Sequence, residues 1–371
     1  MTLTLLAVLP GLLIWIAILL LPWRPWATTE SLDAVQTRPD ADLSDITVLI
    51  PARNEAETIG ITLGTLKQQG HGLKVILVDD QSDDDTVKKA QQVQLENLTI
   101  IPGQPLAEGW SGKLWALEQG RRHISTRYMI LLDADISLAD GMIATVADKV
   151  MTDELQMLSL MANLKMKTGW ERFLMPAFIF FFKLLYPFHL SNKKGNSMAA
   201  AAGGFIWLET GVLEQLGGFT CIKNALIDDC SLASQVKKAG HRTWTGLTHS
   251  VSSIRSYEDL STIWLMVTRT AYTQLFYSPL LLLLCTLLML AAFVLPLLAL
   301  TSLQWSVFIC GLLTLALQVA CYLPTLRYYE LPTGYALTLP FAGILYLLMT
   351  LHSAWRHYFG SGASWKGRDY K

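Results

Sequence analysis

The triplet Asp133-Ala134-Asp135 closes an apolar run, YMILLDADI (128–136), and sets two carboxylates one residue apart. On a strand, residues i and i+2 share a face, so both acids would meet at the strand's carboxyl edge. Two carboxylates about 4 Å apart repel by roughly 4 kcal/mol at an effective dielectric near 20. A hard divalent cation carrying a phosphate relieves that repulsion. A solvated turn relieves it too, and the triplet alone does not choose.

Three other clusters carry comparable chemistry. PARNEAE leaves an apolar run at Pro51, and its Arg53, Asn54, Glu55 and Glu57 head a helical pattern whose N-terminal amides favour anions. Simple capping by Asn54 and Glu57 explains those two equally well. VDDQSDDDT places Asp79 and Asp80 at a strand tip, where a carboxylate can accept hydrogen bonds from a base or ribose. Asp83 to Asp85 fit the first turn of the following helix. GWSGKLWALEQG offers Gly109, Gly112 and Lys113 at a helix start, with Lys113 able to meet a phosphate. Asp228 and Asp229 open the helical stretch DDCSLASQVKKAG; capping uses one carboxylate and leaves the other as a general base. The run AAAAGGF (199–205) is permissive at Gly203 and Gly204, for close packing against a sugar or for an ordinary turn.

The elements that must position these residues alternate. Strands are expected at 46–51, 74–80, 98–103 and 128–135, and helices from Asn54 to about Gln69, from Ser82 to near Val93 and after Ser111. That order implies an α/β fold with a mostly parallel, Rossmann-like sheet covered on both faces. Ligands of such sheets bind beyond the strands' carboxyl ends, where the acids lie.

Composition adds a second solvent. Of 371 residues, 52% are apolar, and they are concentrated in residues 2–23, which carry no formal charge, and in about 279–355. Roughly 20 apolar residues span a bilayer core, so 1–23 reads as an uncleaved anchor. Arg24 directly after it places the central domain in the cytoplasm. Residues 24–45 read as a linker, 46–250 as the catalytic domain, 251–279 as interfacial helices, 280–355 as transmembrane helices and 356–371 as a basic tail. GWERFLMPAFIFFFKLLYPFHL, between charges at Arg172 and Lys183, is too short to span and reads as interfacial or as a buried core helix. A net charge of −1 with no basic, aromatic-interleaved run argues against nucleic acid. Five cysteines without CxxC spacing and seven scattered histidines indicate neither zinc nor a disulfide framework.

Taken in order, PARNEAE, VDDQSDDDT, DAD, LGGF (216–219) and IDDC resemble the family 2 glycosyltransferases, inverting enzymes of the GT-A nucleotide-sugar fold, over roughly residues 46–275. The resemblance implies a nucleoside-diphosphate-sugar donor held by Pro51, Arg53, Glu55, Asp79, Asp80, Lys113, Asp133, Gly203, Gly204 and Arg269. It also implies Mg²⁺ or Mn²⁺ on Asp135 and Asp133, and Asp229 as base beside Asp228. In MVTRT (266–270), Met266 and Thr270 replace the glutamine and tryptophan of the processive members' motif, while Arg269 is kept. This implies single transfer rather than polymer synthesis. GWSGKLWAL, IDDCSLA, MVTRTAYTQLFYS and WKGR (365–368) resemble the hopanoid-associated membrane branch, which implies a lipid or lipid-linked hydroxyl acceptor and a bacterial inner (cytoplasmic) membrane location. Two rivals remain: a nucleotidyltransferase of related fold, which would need a Gly-rich, arginine-bearing loop where PARNEAE stands, and a non-catalytic nucleotide-binding membrane protein. Three C-terminal spans would put the tail outside, yet Arg356, Lys366, Arg368 and Lys371 prefer the inside. Pro332, Gly334 and Pro340 are compatible with a re-entrant last segment.

Overall fold

The apolar run Ile46–Ala52, buried at every position, forms β1. In the computed structural model, which describes residues 3–35, 37–360, 363–365 and 368–370, this strand lies inside an eight-stranded sheet. The catalytic-domain strands are β1, β2 (Lys74–Asp79), β3 (Leu98–Pro102), β4 (Tyr128–Leu132), β5 (Ile136–Leu138), β6 (Met157–Asn163), β7 (Phe205–Glu209) and β8 (Thr243–Ser253). Their order is β3-β2-β1-β4-β7-β6-β8-β5. The four strands from β3 to β4 are mutually parallel, as is the pair β6–β8. The pairs β4–β7, β6–β7 and β5–β8 run antiparallel. The sheet is therefore mixed: the parallel character expected from the alternation runs through β3-β2-β1-β4 and returns at β6–β8.

Period-two burial builds both faces. Val48, Ile50, Val75 and Leu77 pack under α2 (Ile59–Leu66) and α5 (Met142–Thr152). Leu49, Ile76 and Val78 pack under α4 (Gly112–Arg121), α8 (Thr210–Gln215) and α9 (Asp228–Lys238). The short α3 (Thr86–Gln92) follows β2, and α6 (Gly169–Leu185) with α7 (Phe188–Asn192) separates β6 from β7.

Two expected helix starts differ. Asn54 and Glu57 cap nothing: α2 begins after Thr58. Asn54 adopts φ 52°, a left-handed conformation that asparagine tolerates. It donates its backbone N–H to Ser82 Oγ and accepts the Asp83 N–H on Oδ1. Ser82 is thus used across the two loops rather than on its own helix, and α3 starts after Asp85. A capping box does form at Thr168 and Glu171, at the start of α6.

The aperiodic segment after the first helix is held to the sheet. Leu32 and Leu247 bond through their backbones, and Asp33 Oδ1 accepts from Thr248 Oγ1 and from the Ser250 N–H. Below the sheet domain, α1 (Leu3–Leu20) delivers Trp15, fully buried, onto Phe180 and edge-on to Phe293, and its Nε1 donates to Ala292 O. Around it gather α10 (Leu260–Thr268), α11 (Pro279–Met289), α12 (Leu295–Ala299), α13 (Trp305–Tyr328) and α14 (Leu339–Phe359), with a π-turn joining α11 to α12. Among the described residues, four helical segments are long and apolar enough to cross a membrane: Leu3–Leu20, Pro279–Ala299, Trp305–Tyr328 and Thr333–Phe359. Lys183, read as a flank of α6, is buried and donates to Ala27 O and Thr325 Oγ1, so α6 is the core helix of this cluster rather than a free amphipathic one.

The last apolar segment begins and ends beside the sheet domain. At the end of α13, the Tyr328 ring stacks on His249 of β8 at 4.2 Å, and Leu331 packs with Met161 and Leu247. At the end of α14, Arg356 reaches the cleft described below. The tail strands β9 (Ala363–Trp365) and β10 (Arg368–Tyr370) pair antiparallel. Lys366, Gly367 and Lys371 lie outside the described residues.

Candidate active site

A cleft of about 620 Å³ opens at the carboxyl ends of β1 and β4 and is closed below by α10 and α14. Pro51, Glu55, Lys113, Asp133, Asp135, Asp228 and Arg269 line it. A smaller cavity shares Pro51, Lys113, Asp133 and Asp228 and adds Gly203 and Asp229. Acids from three separate stretches thus converge: Glu55, Asp133 with Asp135, and Asp228 with Asp229.

Asp133 and Asp135 stand past the end of β4, in the turn before β5, rather than on the strand. The turn is fixed by the Asp133 N–H on Gly204 O and the Ile136 N–H on Asp133 O. Each carboxylate has a protein cation. Lys113 Nζ lies 2.8 Å from Asp133 Oδ1, and Arg255 Nε lies 2.6 Å from Asp135 Oδ2. The same guanidinium reaches Glu55 Oε1 at 3.0 Å.

Lys113 is placed by α4, whose N-cap Ser111 accepts the Leu114 N–H. Its ammonium also lies 3.4 Å from Asp228 Oδ2. Burial works against that charge, yet Asp133 and Asp228 hold the lysine well above its ordinary pKa. The residue expected on a phosphate is thus a counter-ion at the centre of the carboxylates. Gly203 leaves room for it: a Cβ there would sit 3.2 Å from Lys113 Nζ and 3.5 Å from Asp229 Oδ2.

Asp229 lies in the first turn of α9, and its Oδ1 accepts the Cys230 N–H at 2.7 Å. Desolvation and the neighbouring Asp228 charge push its pKa up to about 7, against that bond and Lys113. Burial likewise raises Asp133, opposed by Lys113. A carboxyl raised into that range suits a general base.

The remaining expected residues lie around the cleft. Gly204 backs the Asp133 turn, where a Cβ would meet Ile136 Cδ1 at 3.1 Å. Arg53 donates to Asp80 O at 2.6 Å and so ties down the end of β2. Asp79 pairs in register with Ala52, and its carbonyl accepts the Gly103 N–H. Asp80 is fully buried. These three stand beside the cleft lining rather than in it.

Sequence reading missed Arg255, Tyr257 and Arg356 as lining residues. Arg255 and Tyr257 follow β8, with the Tyr257 N–H held by Glu171 Oε1.

Among the described residues, no three carboxylate, histidine or cysteine groups close a cation site. Two carboxylates, with substrate phosphates and water completing the shell, are the ordinary donor set for Mg²⁺. Asp133 and Asp135 fit that pattern.

The geometry has counterparts among known proteins. Residues 47–217 match the model of Glycosyl transferase family 2. A 4,4'-diaponeurosporenoate glycosyltransferase of Staphylococcus aureus strain RF122 is 36% identical over 93 residues, 25% of this chain and 24% of that protein. The same-named protein of strain USA300 is 34% identical over 93 residues. The chain thus spans about a quarter of the length of these curated relatives. A solved mannosyltransferase from Pyrobaculum calidifontis, in complex with GDP-Man and Mn²⁺, superposes with a TM-score of 0.58 at 18% identity. That likeness covers 96% of this chain and 99% of the other, so the shared fold takes in the apolar helices as well as the sheet. Over residues 47–217 the chain is thus similar to the glycosyltransferases of family 2.

Proposed function

We propose that the protein is a membrane-bound, inverting glycosyltransferase that moves one sugar from a nucleoside-diphosphate sugar to a lipid or lipid-linked hydroxyl. The observation that carries this reading is Asp229, with its raised pKa, in a cavity that shares Lys113, Asp133 and Asp228 with the main cleft. The cleft's lower wall is membrane-proximal, formed by Leu265, Met266 and Arg269 of the α10 region. An acceptor hydroxyl therefore meets the base from the apolar side while the donor enters from the sheet side.

Asp229 takes the proton of the acceptor hydroxyl as its oxygen attacks the anomeric carbon. The bond to the diphosphate oxygen breaks, the nucleoside diphosphate leaves with the electron pair, and one displacement inverts one centre. When bound at Asp133 and Asp135, a divalent cation would neutralise the leaving diphosphate. Lys113 keeps Asp133 and Asp228 in place by charge, and Arg269 faces the diphosphate from below. Asp79 serves the nucleoside from the neighbouring strand tip, while Asp80 is buried there.

The carotenoid-acid glycosyltransferase relatives and the hopanoid-associated resemblance both support an apolar lipid acceptor. The four apolar helices support an integral membrane protein, with the catalytic domain cytoplasmic at the bacterial inner membrane. Thr270 in place of the processive tryptophan supports single transfer. The test is a panel of sugar nucleotides offered with membrane lipid extract and Mg²⁺ or Mn²⁺. Acceptor-dependent release of nucleoside diphosphate with a glycolipid product is expected; no release from any donor rejects the reading.

A further inference from the structure

Arg356 sits three residues from the end of α14, in a stretch of exposed aromatics: Trp355, Tyr358 and Phe359 are 55%, 54% and 77% exposed. Such residues mark the headgroup level of a membrane protein. Arg356 itself turns away from them. On a helix it shares a face with His352 and Ser353, and both are fastened to α10 and the turn after it. Trp264 Nε1 donates to His352 Nδ1 at 2.6 Å. Ser353 Oγ donates to Thr268 O at 2.6 Å and accepts the Tyr272 N–H at 3.0 Å. Arg269 follows Thr268 directly. These bonds fasten α14 to the end of α10, and Arg356 and Arg269 both line the cleft.

The two walls differ in charge. The sheet side bears Glu55, Asp133, Asp135 and Asp228 against Lys113 and Arg255, each of which pairs with two carboxylates. The lower side bears Tyr257, Thr262, Leu265, Met266, Arg269 and Arg356, with no acid lining it among the described residues. A guanidinium is the side chain that grips phosphate in a planar, two-pronged fashion.

We infer that Arg356 is a second anion-binding residue of the cleft, pairing with Arg269 to hold a phosphate-class group on the membrane-side wall. This inference rests on the glycosyltransferase reading for its substrates, and it requires α14 to return to the catalytic face rather than cross. Two sources carry the matching chemistry: the donor's diphosphate and the phosphate of an anionic lipid.

The experiment compares full-length wild type with Arg356→Gln, Arg356→Lys and Arg172→Gln, the last an exposed residue of α6 outside the cleft. Direct binding is measured in detergent for GDP and UDP with Mn²⁺, and separately for dihexanoyl phosphatidic acid against dihexanoyl phosphatidylcholine. Loss of one charge-assisted contact predicts affinity at least roughly tenfold weaker for Arg356→Gln, with Arg172→Gln unchanged. A loss with GDP or UDP assigns the donor diphosphate; a loss with phosphatidic acid alone assigns the lipid. Should Arg356→Gln fail to fold, Arg356→Lys keeps the charge without the fork and is expected to bind several-fold more weakly. Wild-type affinity for every probe in the variant that folds overturns the inference. Binding is read without turnover, so a wild type that binds yet transfers nothing rejects the reaction and leaves the anion site standing.

Discussion

Arg255 Nε lies 2.6 Å from Asp135 Oδ2 while its Nη2 lies 3.0 Å from Glu55 Oε1, so one guanidinium bridges the ends of β1 and β4. Those partners are 120 and 200 residues away in sequence. A divalent ion held by Asp135 would therefore have this guanidinium as a neighbouring positive charge. Burial opposes the Arg255 charge, and Asp135 more than restores it.

Replacing Arg255 by Gln should therefore tighten Mn²⁺ binding. A unit charge about 4 Å away opposes a cation by roughly 4 kcal/mol at an effective dielectric near 20. Even heavily screened, that predicts at least about tenfold higher Mn²⁺ affinity, read by calorimetry with nucleoside diphosphate present. Weaker binding in the variant would show instead that Arg255 assembles the site.

Asp229→Asn should abolish most turnover and spare the donor. Removal of a general base costs roughly 10²–10⁴-fold, whereas the Asp229 carboxylate makes its recorded hydrogen bond to the backbone of Cys230. Steady-state kinetics beside direct nucleotide binding make the comparison. Parallel loss of donor affinity and turnover rejects Asp229 as base.

The pH profile follows from the same residue. Its carboxyl is raised to about 7, chiefly by desolvation. A base works only when unprotonated, so kcat/KM should climb from pH 6 to pH 8 with a midpoint near 7. A limb centred below pH 5 would mean that Asp229 stays ionised throughout and that another group limits the rate.

Topology is testable by impermeant thiol labelling after replacement of the five native cysteines. Leu303 is fully exposed in the loop between α12 and α13, and His357 follows Arg356. Leu303→Cys should label from the side opposite the catalytic domain and His357→Cys from the same side. Labelling of both from one side, or of His357→Cys from the far side, refutes a returning α14.

The strand tips were legible because each joins a buried apolar run to acids, a purely local pattern. Pro51, Glu55, Asp133 and Asp135 could be nominated this way, and Lys113, Asp228 and Asp229 from helix starts. Arg255 and Arg356 could not, because no local rule relates either to its distant partners. The antiparallel entry of β7 between β4 and β6 was equally hidden, since alternation specifies element type and leaves strand direction to the long excursion through α6. Asn54 misled for a related reason: its side chain was claimed by Asp83, in the neighbouring loop, before it could serve α2.

The strap at residues 31–34 also sets a distance. With Asp33 clasping Thr248 and Ser250, and His249 stacked on the last turn of α13, the sheet is bolted to the helices at two points on one edge. Such a body does not dip or lift like a tethered head. With the apolar helices in a bilayer, as proposed, the reacting centre would stay at one altitude, and an acceptor would be selected by how far its nucleophile projects above the apolar surface.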